Sequence, residues 1–353
     1  MNPLFDPVRP PATIAVFRAL QLGDLLCAVP ALRALRRAFP RAHVALVGLA
    51  EAGEFRDRFA GYLDELIVFP GIAEFPEQAA RPEELPDFFR RMRLRRFDVA
   101  LQMHGSGDRS NPIVEQFGAG RRGCFVPEAE AAIPGLRMPW PARMPEPRRY
   151  LALLRHLGLD AGDESLEFPC TEADRRDAQR LLKEHGLDPG RLVLMHVGAR
   201  LPSRRWPLER YAEVADALSR QGWQVALTGT GAERPMTAEL RRRSAFPLVD
   251  LCGETTLGSL AALVRCARLL VCNDTGISHV AAAMGAPSVV VACGSDTERW
   301  APLDRRRHAV LHAELPCRPC AFDTCPIGHP CATAVTVPQV LDQARRQLEE
   351  ARP

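Results

Sequence analysis

The chain has 353 residues, enough for two domains that each bury a core. Its 46% hydrophobic and 25% charged residues are ordinary globular values, and a net charge of +3 is too small to argue for nucleic acid. No apolar run of about 18 residues is present to span a membrane, and the start MNPLFDPVRPP lacks the apolar segment of a secretory leader.

In chain order, residues 12–17 predict a first strand, and Ala19 to Gly23 a turn into a helix from about Asp24 to Phe39. Leu25, Leu26, Val29, Leu32, Leu35 and Phe39 supply its apolar spacing, and Pro30 inside it predicts a kink or a restart. Arg33, Arg36 and Arg37 share one helical face, turned outward or toward an anionic acceptor. Strands follow at His43 to Gly48, Leu66 to Phe69 and Val99 to Gln102. Between Pro127 and Pro147 proline is frequent and periodicity is lost. Tyr150 to Leu157 predicts a helix and Leu166 to Pro169 an extended segment.

A boundary near residue 168 opens a second run of the same kind. It has a helix from Glu172 to His185 closed by Gly186, a strand from Arg191 to His196, a helix from Leu208 to Gln221 and a strand from Trp223 to Thr228. A helix from Leu257 to Cys266, a strand from Leu269 to Cys272, a helix-compatible run from His279 to Gly285 and a strand from Pro287 to Cys293 come next. A helix from Val337 to Glu350 ends the chain. Alternating strands and helices predict parallel α/β sheets. Two such halves in series imply a cleft, with ligands outside the carboxyl ends of the strands.

Four stretches carry chemistry. VCNDTGISHVAAAMG, Val271 to Gly285, is a strand, a glycine-containing turn and a helix start, which aims free N–H groups at an anion. Its plainer reading is a βα turn with Asp274 as helix cap. Gly23-Asp24 puts a carboxylate at a helix start after the first strand, suited to a general base or to a cap. HVGARLPSRRWP has Gly198 at a turn and Arg200, Arg204 and Arg205 in one loop, able to neutralise a diphosphate or simply solvated. Lys183 is the only lysine, so phosphate contacts must come from arginine or backbone. LTGTGAE brings two glycines and Glu233, a candidate acceptor of ribose hydrogen bonds.

Two further features are open. Cys317, Cys320, Cys325 and Cys331, with His329 among them, have the spacing either of a closed thiolate zinc site or of a reduced, packed loop. The other seven cysteines are scattered and fit reduced cysteine used as a small hydrophobe. FFRRMRLRRFD, Phe88 to Asp98, is a basic helix whose apolar edge would touch an anionic membrane, or a solvated face.

Taken together, FRALQLGDLLCAVPALRALRRAFP, HVGARLPSRRWP, LTGTGAE and the stretch from CGETTLGSLAAL through DTGISH to SDTERWAP resemble, in this order, the motifs of glycosyltransferase family 9, which includes the ADP-heptose:lipopolysaccharide heptosyltransferases. The likeness runs from about residue 13 to 340. It implies a GT-B fold, two Rossmann-like domains with parallel sheets facing across a cleft. Residues 1–167 would bind the acceptor and 168–353 the nucleotide sugar. It implies Asp24 as general base and donor contacts from Arg204, Glu233, Thr255, Asp274, Thr275, Gly276 and His279, with Arg18 in the place of a basic residue common before the LGD turn. This chain departs from the family at Ala19, Leu20, Ala199 and Arg200, where hydroxyl residues are frequent, and at Arg204, usually lysine.

The function so implied is inverting and metal-independent transfer of a heptose from ADP-heptose to a lipid-linked lipopolysaccharide core acceptor. It would occur at the cytoplasmic face of the inner membrane, with no cofactor. The sequence also contains no D-x-D pair to clamp a metal diphosphate. The alternatives are another nucleotide sugar, a 2-epimerase on the same fold, or a non-catalytic nucleotide-binding protein.

Overall fold

The computed structural model describes residues 4–5, 9–127 and 136–350. The chain forms two compact units, Met1–Ser165 and Leu166–Pro353. In the first, the strands are β1 (Thr13–Phe17), β2 (His43–Gly48), β3 (Glu65–Val68), β4 (Val99–Gln102), β5 (Arg121–Val126) and β6 (Arg137–Pro139). Its helices are α1 (Leu22–Ala38), α2 (Gly53–Arg58), α3 (Leu85–Arg95), α4 (Asn111–Glu115) and α5 (Glu146–His156). The second unit has β7 (Leu192–His196), β8 (Gln224–Thr228), β9 (Val249–Asp250), β10 (Leu269–Asn273), β11 (Ser288–Val291) and β12 (His308–Leu311). Its helices are α6 (Glu172–Glu184), α7 (Leu208–Arg220), α8 (Arg234–Arg243), α9 (Leu257–Cys266), α10 (Gly276–Met284), α11 (Thr297–Trp300), α12 (Pro330–Ala334) and α13 (Val337–Glu350).

Each unit holds one six-stranded parallel sheet, ordered β3-β2-β1-β4-β5-β6 in the first and β9-β8-β7-β10-β11-β12 in the second. The order reverses between β1 and β4, and again between β7 and β10. Those are the points where loops diverge and ligands bind in doubly wound sheets. The central strands are buried on both faces and so read as continuous apolar runs. In the second sheet Val193, Met195, Leu227, Val271 and Val289 enter one core with Trp206, Tyr211 and Leu218 of the α7 region and Val340 and Ala344 of α13. The alternate residues Leu194, Ala226, Leu270 and Val290 point to the other face and are equally buried.

Local signals set the helix ends. Thr171 caps α6 in a reciprocal box with Asp174, and Gly186 follows at a φ of 62°, a conformation that suits glycine. α1 begins at Leu22, two residues before its expected start, and runs unbroken through Pro30. α10 begins at Gly276 rather than His279. Residues 166–169 form no strand, whereas β5, β6, β9, β12 and α8 arise where no element was expected.

The arginine faces are also corrected. In α3 the expected apolar edge, Phe88, Phe89 and Met92, is buried in the first unit's core, and Leu94 is 70% exposed. Arg33 of α1 is spent on Asp163 and Ser165, and Arg36 on Asp64 and the Ala42 carbonyl. Among the described residues no helix is long and apolar enough to cross a membrane.

The first unit also buries a polar knot. Glu146 of α5 is fully buried and meets Arg149 Nη1 at 2.8 Å, Arg18 Nη2 at 3.4 Å and the Tyr150 hydroxyl. The Arg18 guanidinium lies 4.3 Å from the Tyr150 ring centroid, and that of Arg149 4.4 Å from the Trp140 ring. Two cations thus meet one carboxylate. Glu146→Ala is expected to destabilise the protein by roughly 3–5 kcal/mol, because it removes a buried carboxylate that both cations meet. Urea unfolding checks this, with Glu146→Gln falling in between.

Candidate functional site

In the first unit Asp24 is half-buried in the first turn of α1, at the carboxyl end of β1. No side chain caps this helix from Gln21. The start is held from outside: Arg18 Nε and Nη2 both donate to the Asp24 carbonyl, at 2.9 and 2.6 Å. Arg18 Nη1 donates to the Met103 carbonyl and the Tyr150 hydroxyl, each at 2.5 Å. Burial alone disfavours its charge, but Tyr150, Glu146 and Asp24 together raise its pKa above the ordinary arginine value. Arg18, in the place of the family's basic residue before the LGD turn, is 0% exposed and spends its donors inside the unit. Gly23, half-buried, is the helix residue just before Asp24.

In the second unit the reversal of strand order joins the ends of β7 and β10, with Cys272 opposite His196. Asn273 at the end of β10 is fully buried. Its Nδ2 donates to the Val197 carbonyl at 2.8 Å and the Gly198 carbonyl at 3.3 Å, and its Oδ1 accepts from the Trp206 N–H at 2.9 Å. One amide therefore pins both ends of the arginine loop to the DTG turn. Trp206, 1% exposed, anchors that loop in the core, its indole N–H donating to the Val335 carbonyl at 3.0 Å. Neither Asn273 nor Trp206 was singled out in the sequence. An asparagine ending an otherwise apolar strand is the signal that would have found the first.

α10 then opens at Thr275, which is extended (φ −144°, ψ −179°) and makes no side-chain cap. Asp274 is therefore not the cap of this helix; its own N–H donates to the Val291 carbonyl at 3.1 Å. Gly276 and Ile277 open the helix with first-turn N–H groups that have no partner within it, which suits an anion. His279, in the first turn, is 6% exposed and stands edge-on to Trp300, centroids 6.2 Å apart.

Glu233 belongs to the same edge. Its Oε2 accepts from the Thr230 N–H at 2.7 Å and the Thr230 hydroxyl at 3.0 Å. A Cβ placed on Gly198 would lie 1.6 Å from Glu233 Oε1, so any side chain there evicts the carboxylate. Burial lowers the His196 pKa beneath this pair, with Glu233 opposing it, and His196 Nδ1 lies 3.2 Å from Thr228 Oγ1.

Arg204 Nη2 donates to the Cys320 carbonyl at 3.1 Å, while its Nε is buried without a partner among the described residues. Arg205 Nε holds the Ala199 carbonyl at 2.9 Å. Arg200 is exposed on the same loop, and Thr255 is half-buried just before Thr256, the N-cap of α9. The structure thus brings Gly198, Glu233, Arg204, Asp274, Thr275 and Gly276 onto the loops at one sheet edge. No hydrogen bond among the described residues ties Arg200 or Thr255 to them.

The cysteine-rich tail braces the arginine loop. Ser203 N–H donates to the Asp323 carbonyl at 3.2 Å and its hydroxyl to that of Phe322, while His329 Nε2 reaches the Ser203 carbonyl at 2.8 Å. Cys325 Sγ accepts from the His329 N–H at 3.2 Å, and Cys320 Sγ would lie 2.7 Å from a Cβ on Gly294. Burial raises the Cys331 thiol pKa, and Cys320, Cys325 and Cys317 add to the effect. Among the described residues no group of three or more His, Cys, Asp or Glu side chains is arranged to hold a metal ion.

Asn273→Ala is expected to lower stability by about 2–3 kcal/mol, the cost of buried groups left unpaired. It should also weaken ADP binding, since the loop and the turn lose their tie. Chemical denaturation and calorimetry with ADP check the two parts.

A family model described as glycosyltransferase family 9 (heptosyltransferase) matches residues 87–330. The lipopolysaccharide heptosyltransferase 2 of Escherichia coli K12 is 33% identical over 181 residues, 48% of this chain and 51% of that protein. The chain spans about half the length or less of the first curated relatives it matches. The crystal structure of a family 9 glycosyl transferase from Veillonella parvula superposes with a TM-score of 0.77 at 22% identity, covering 96% of this chain and 97% of that one. The E. coli ADP-heptose lps heptosyltransferase II does so with 0.69 at 21%, covering 96% and 99%. Those likenesses speak for the fold, which is the expected GT-B class of two Rossmann-like units. With the family model covering well over half of its length, the chain belongs to glycosyltransferase family 9, the heptosyltransferase family.

Proposed function

We propose that the chain is an inverting glycosyltransferase that moves a heptose from ADP-heptose to a lipopolysaccharide core acceptor. The observation that carries the reading is the edge of the second sheet, where Asn273 holds an arginine loop against an uncapped helix start. That is a receptor for a diphosphate built from backbone amides and one guanidinium. The relatives supply the sugar, since the matching proteins are named as heptosyltransferases and one as an ADP-heptose enzyme.

In this reading residues 168–353 hold the nucleotide sugar and 1–167 the acceptor. Asp24 takes the proton of the acceptor hydroxyl as that oxygen attacks the anomeric carbon, and the bond to the diphosphate breaks on the opposite face. Configuration inverts in one displacement. The departing diphosphate is stabilised by Arg204, by the amides at Thr275 and Gly276, and by His279, so that charge stabilisation takes the place of a general acid. Glu233 and Thr255 serve the nucleoside, and Gly198 lets the Glu233 carboxylate sit against the backbone. Arg18 acts one step back, by holding the peptide that carries Asp24. The reading puts the protein at the cytoplasmic face of the inner membrane. Contact with anionic lipid through α3 would be electrostatic, because its apolar edge is buried.

Two variants test the assignment. Asp24→Asn is expected to keep the thermal shift that ADP produces and to lose turnover by about 10²–10⁴-fold, the range for a general base. Arg204→Ala is expected to weaken ADP by about 1.5–3 kcal/mol, the worth of charged hydrogen bonds. If UDP sugars shift the melting temperature and ADP sugars do not, the donor is wrong. Epimerised sugar nucleotide formed without acceptor identifies an epimerase, and binding without turnover in the unmodified protein identifies a pure binder.

A further inference from the structure

At the reversal point of the first sheet a second side chain stands out. His104 follows β4, the strand paired with β1 where the order turns. It is 8% exposed. Its ring packs against both Phe75 and Phe17, with centroids 4.2 and 5.3 Å away and interplanar angles of 22° and 23°, while the two phenylalanines also meet each other at 6.4 Å. Its carbonyl accepts from Gln102 Nε2 at 2.5 Å and from the Ser110 hydroxyl at 2.6 Å, which fixes the backbone that carries the ring.

Such a slot asks for a phenylalanine. Instead it holds an imidazole whose Nδ1 is buried with no hydrogen-bond partner among the described residues. A buried, unpaired polar atom lowers stability and calls for an explanation. Burial first, and the Arg18 charge second, push the ring's pKa down to about 3, so it is neutral in any working buffer. Of the two ring nitrogens only Nδ1 is buried without a partner. An orphaned N–H is a rarer defect than an orphaned acceptor, so the proton belongs on Nε2. The ring then offers a donor that neither ionises nor competes with Asp24 for a proton. Arg18 is the neighbour both share: it donates to the Asp24 carbonyl, and its charge acts on both side chains.

We propose that His104 is an acceptor-binding residue, its Nε2–H donating to an oxygen of the acceptor saccharide beside the hydroxyl that Asp24 deprotonates. This rests on the reading of Asp24 as base and of the first unit as the acceptor side. The ligand class is a polyhydroxylated sugar whose oxygens accept hydrogen bonds. The two aromatic contacts fix the ring, so the donor is aimed before the ligand arrives.

His104→Phe keeps the stack and removes both nitrogens. The expected result is a melting temperature equal to or above that of the unmodified protein, an unchanged thermal shift with ADP, and an acceptor KM raised at least tenfold. Transfer is assayed from ADP-heptose to heptose-deficient lipopolysaccharide. Binding of its deacylated core oligosaccharide is read separately by calorimetry, so turnover is not needed. An oligosaccharide affinity unchanged by His104→Phe overturns the proposal, as does a variant that melts several degrees lower and loses the ADP shift. Failure of the unmodified protein to bind the oligosaccharide overturns the ligand class. Asp24→Asn in the same assays separates the two ideas. If it retains turnover while His104→Phe loses oligosaccharide affinity, the base assignment fails and His104 stands. If only Asp24→Asn has an effect, His104 fails alone.

Discussion

A parallel sheet that reverses its strand order leaves a gap in its own logic. The two loops that part there are joined by no ladder of backbone hydrogen bonds. In the second unit the Asn273 side chain supplies the missing tie, two donors to one loop end and an acceptor to the other. Everything assigned to the diphosphate hangs from that amide. The arginine loop is tied to it at both ends, the helix start of α10 is three residues away, and Glu233 packs on the glycine it holds. An asparagine suits the place because it both donates and accepts without charge; aspartate could not donate to the carbonyls.

The first unit meets the same topological problem with different chemistry. There a fully buried arginine spans the reversal, from the Asp24 carbonyl after β1 to the Met103 carbonyl after β4. A neutral amide would have sufficed to join two loops. A cation does something more: it places positive charge beside a carboxylate and an imidazole, and it adds to the burial that keeps the imidazole neutral. The charge is balanced from behind by Glu146 rather than by solvent.

The alternating pattern and the loop motifs were legible because each is local. Buried central strands are apolar runs, and Gly186 sits where only a positive φ ends the helix well. What escaped was tertiary. β9 and β12 are short edge strands, of two and four residues, with half-exposed residues, and β5 opens on two arginines. The start of α1 was misplaced by two residues because its support comes from Arg18, a side chain outside the helix. Arg33 and Arg36 looked like a free basic face, but their carboxylate partners lie far along the chain. Asp24, Asp274 and Gly276 were singled out because they follow strand ends. Asn273 and His104 were not, since their roles depend on neighbours distant in sequence.

The brace between the arginine loop and the cysteine-rich tail has a consequence for biogenesis. Ser203 and Arg204 are fastened by Cys320, Phe322, Asp323 and His329, more than a hundred positions downstream. Synthesis is vectorial, and domains take shape as they emerge. The strands on either side of the loop are complete long before its fasteners leave the ribosome. The arginine loop therefore stays unfastened until the tail is made, and takes its final place only near the end of translation.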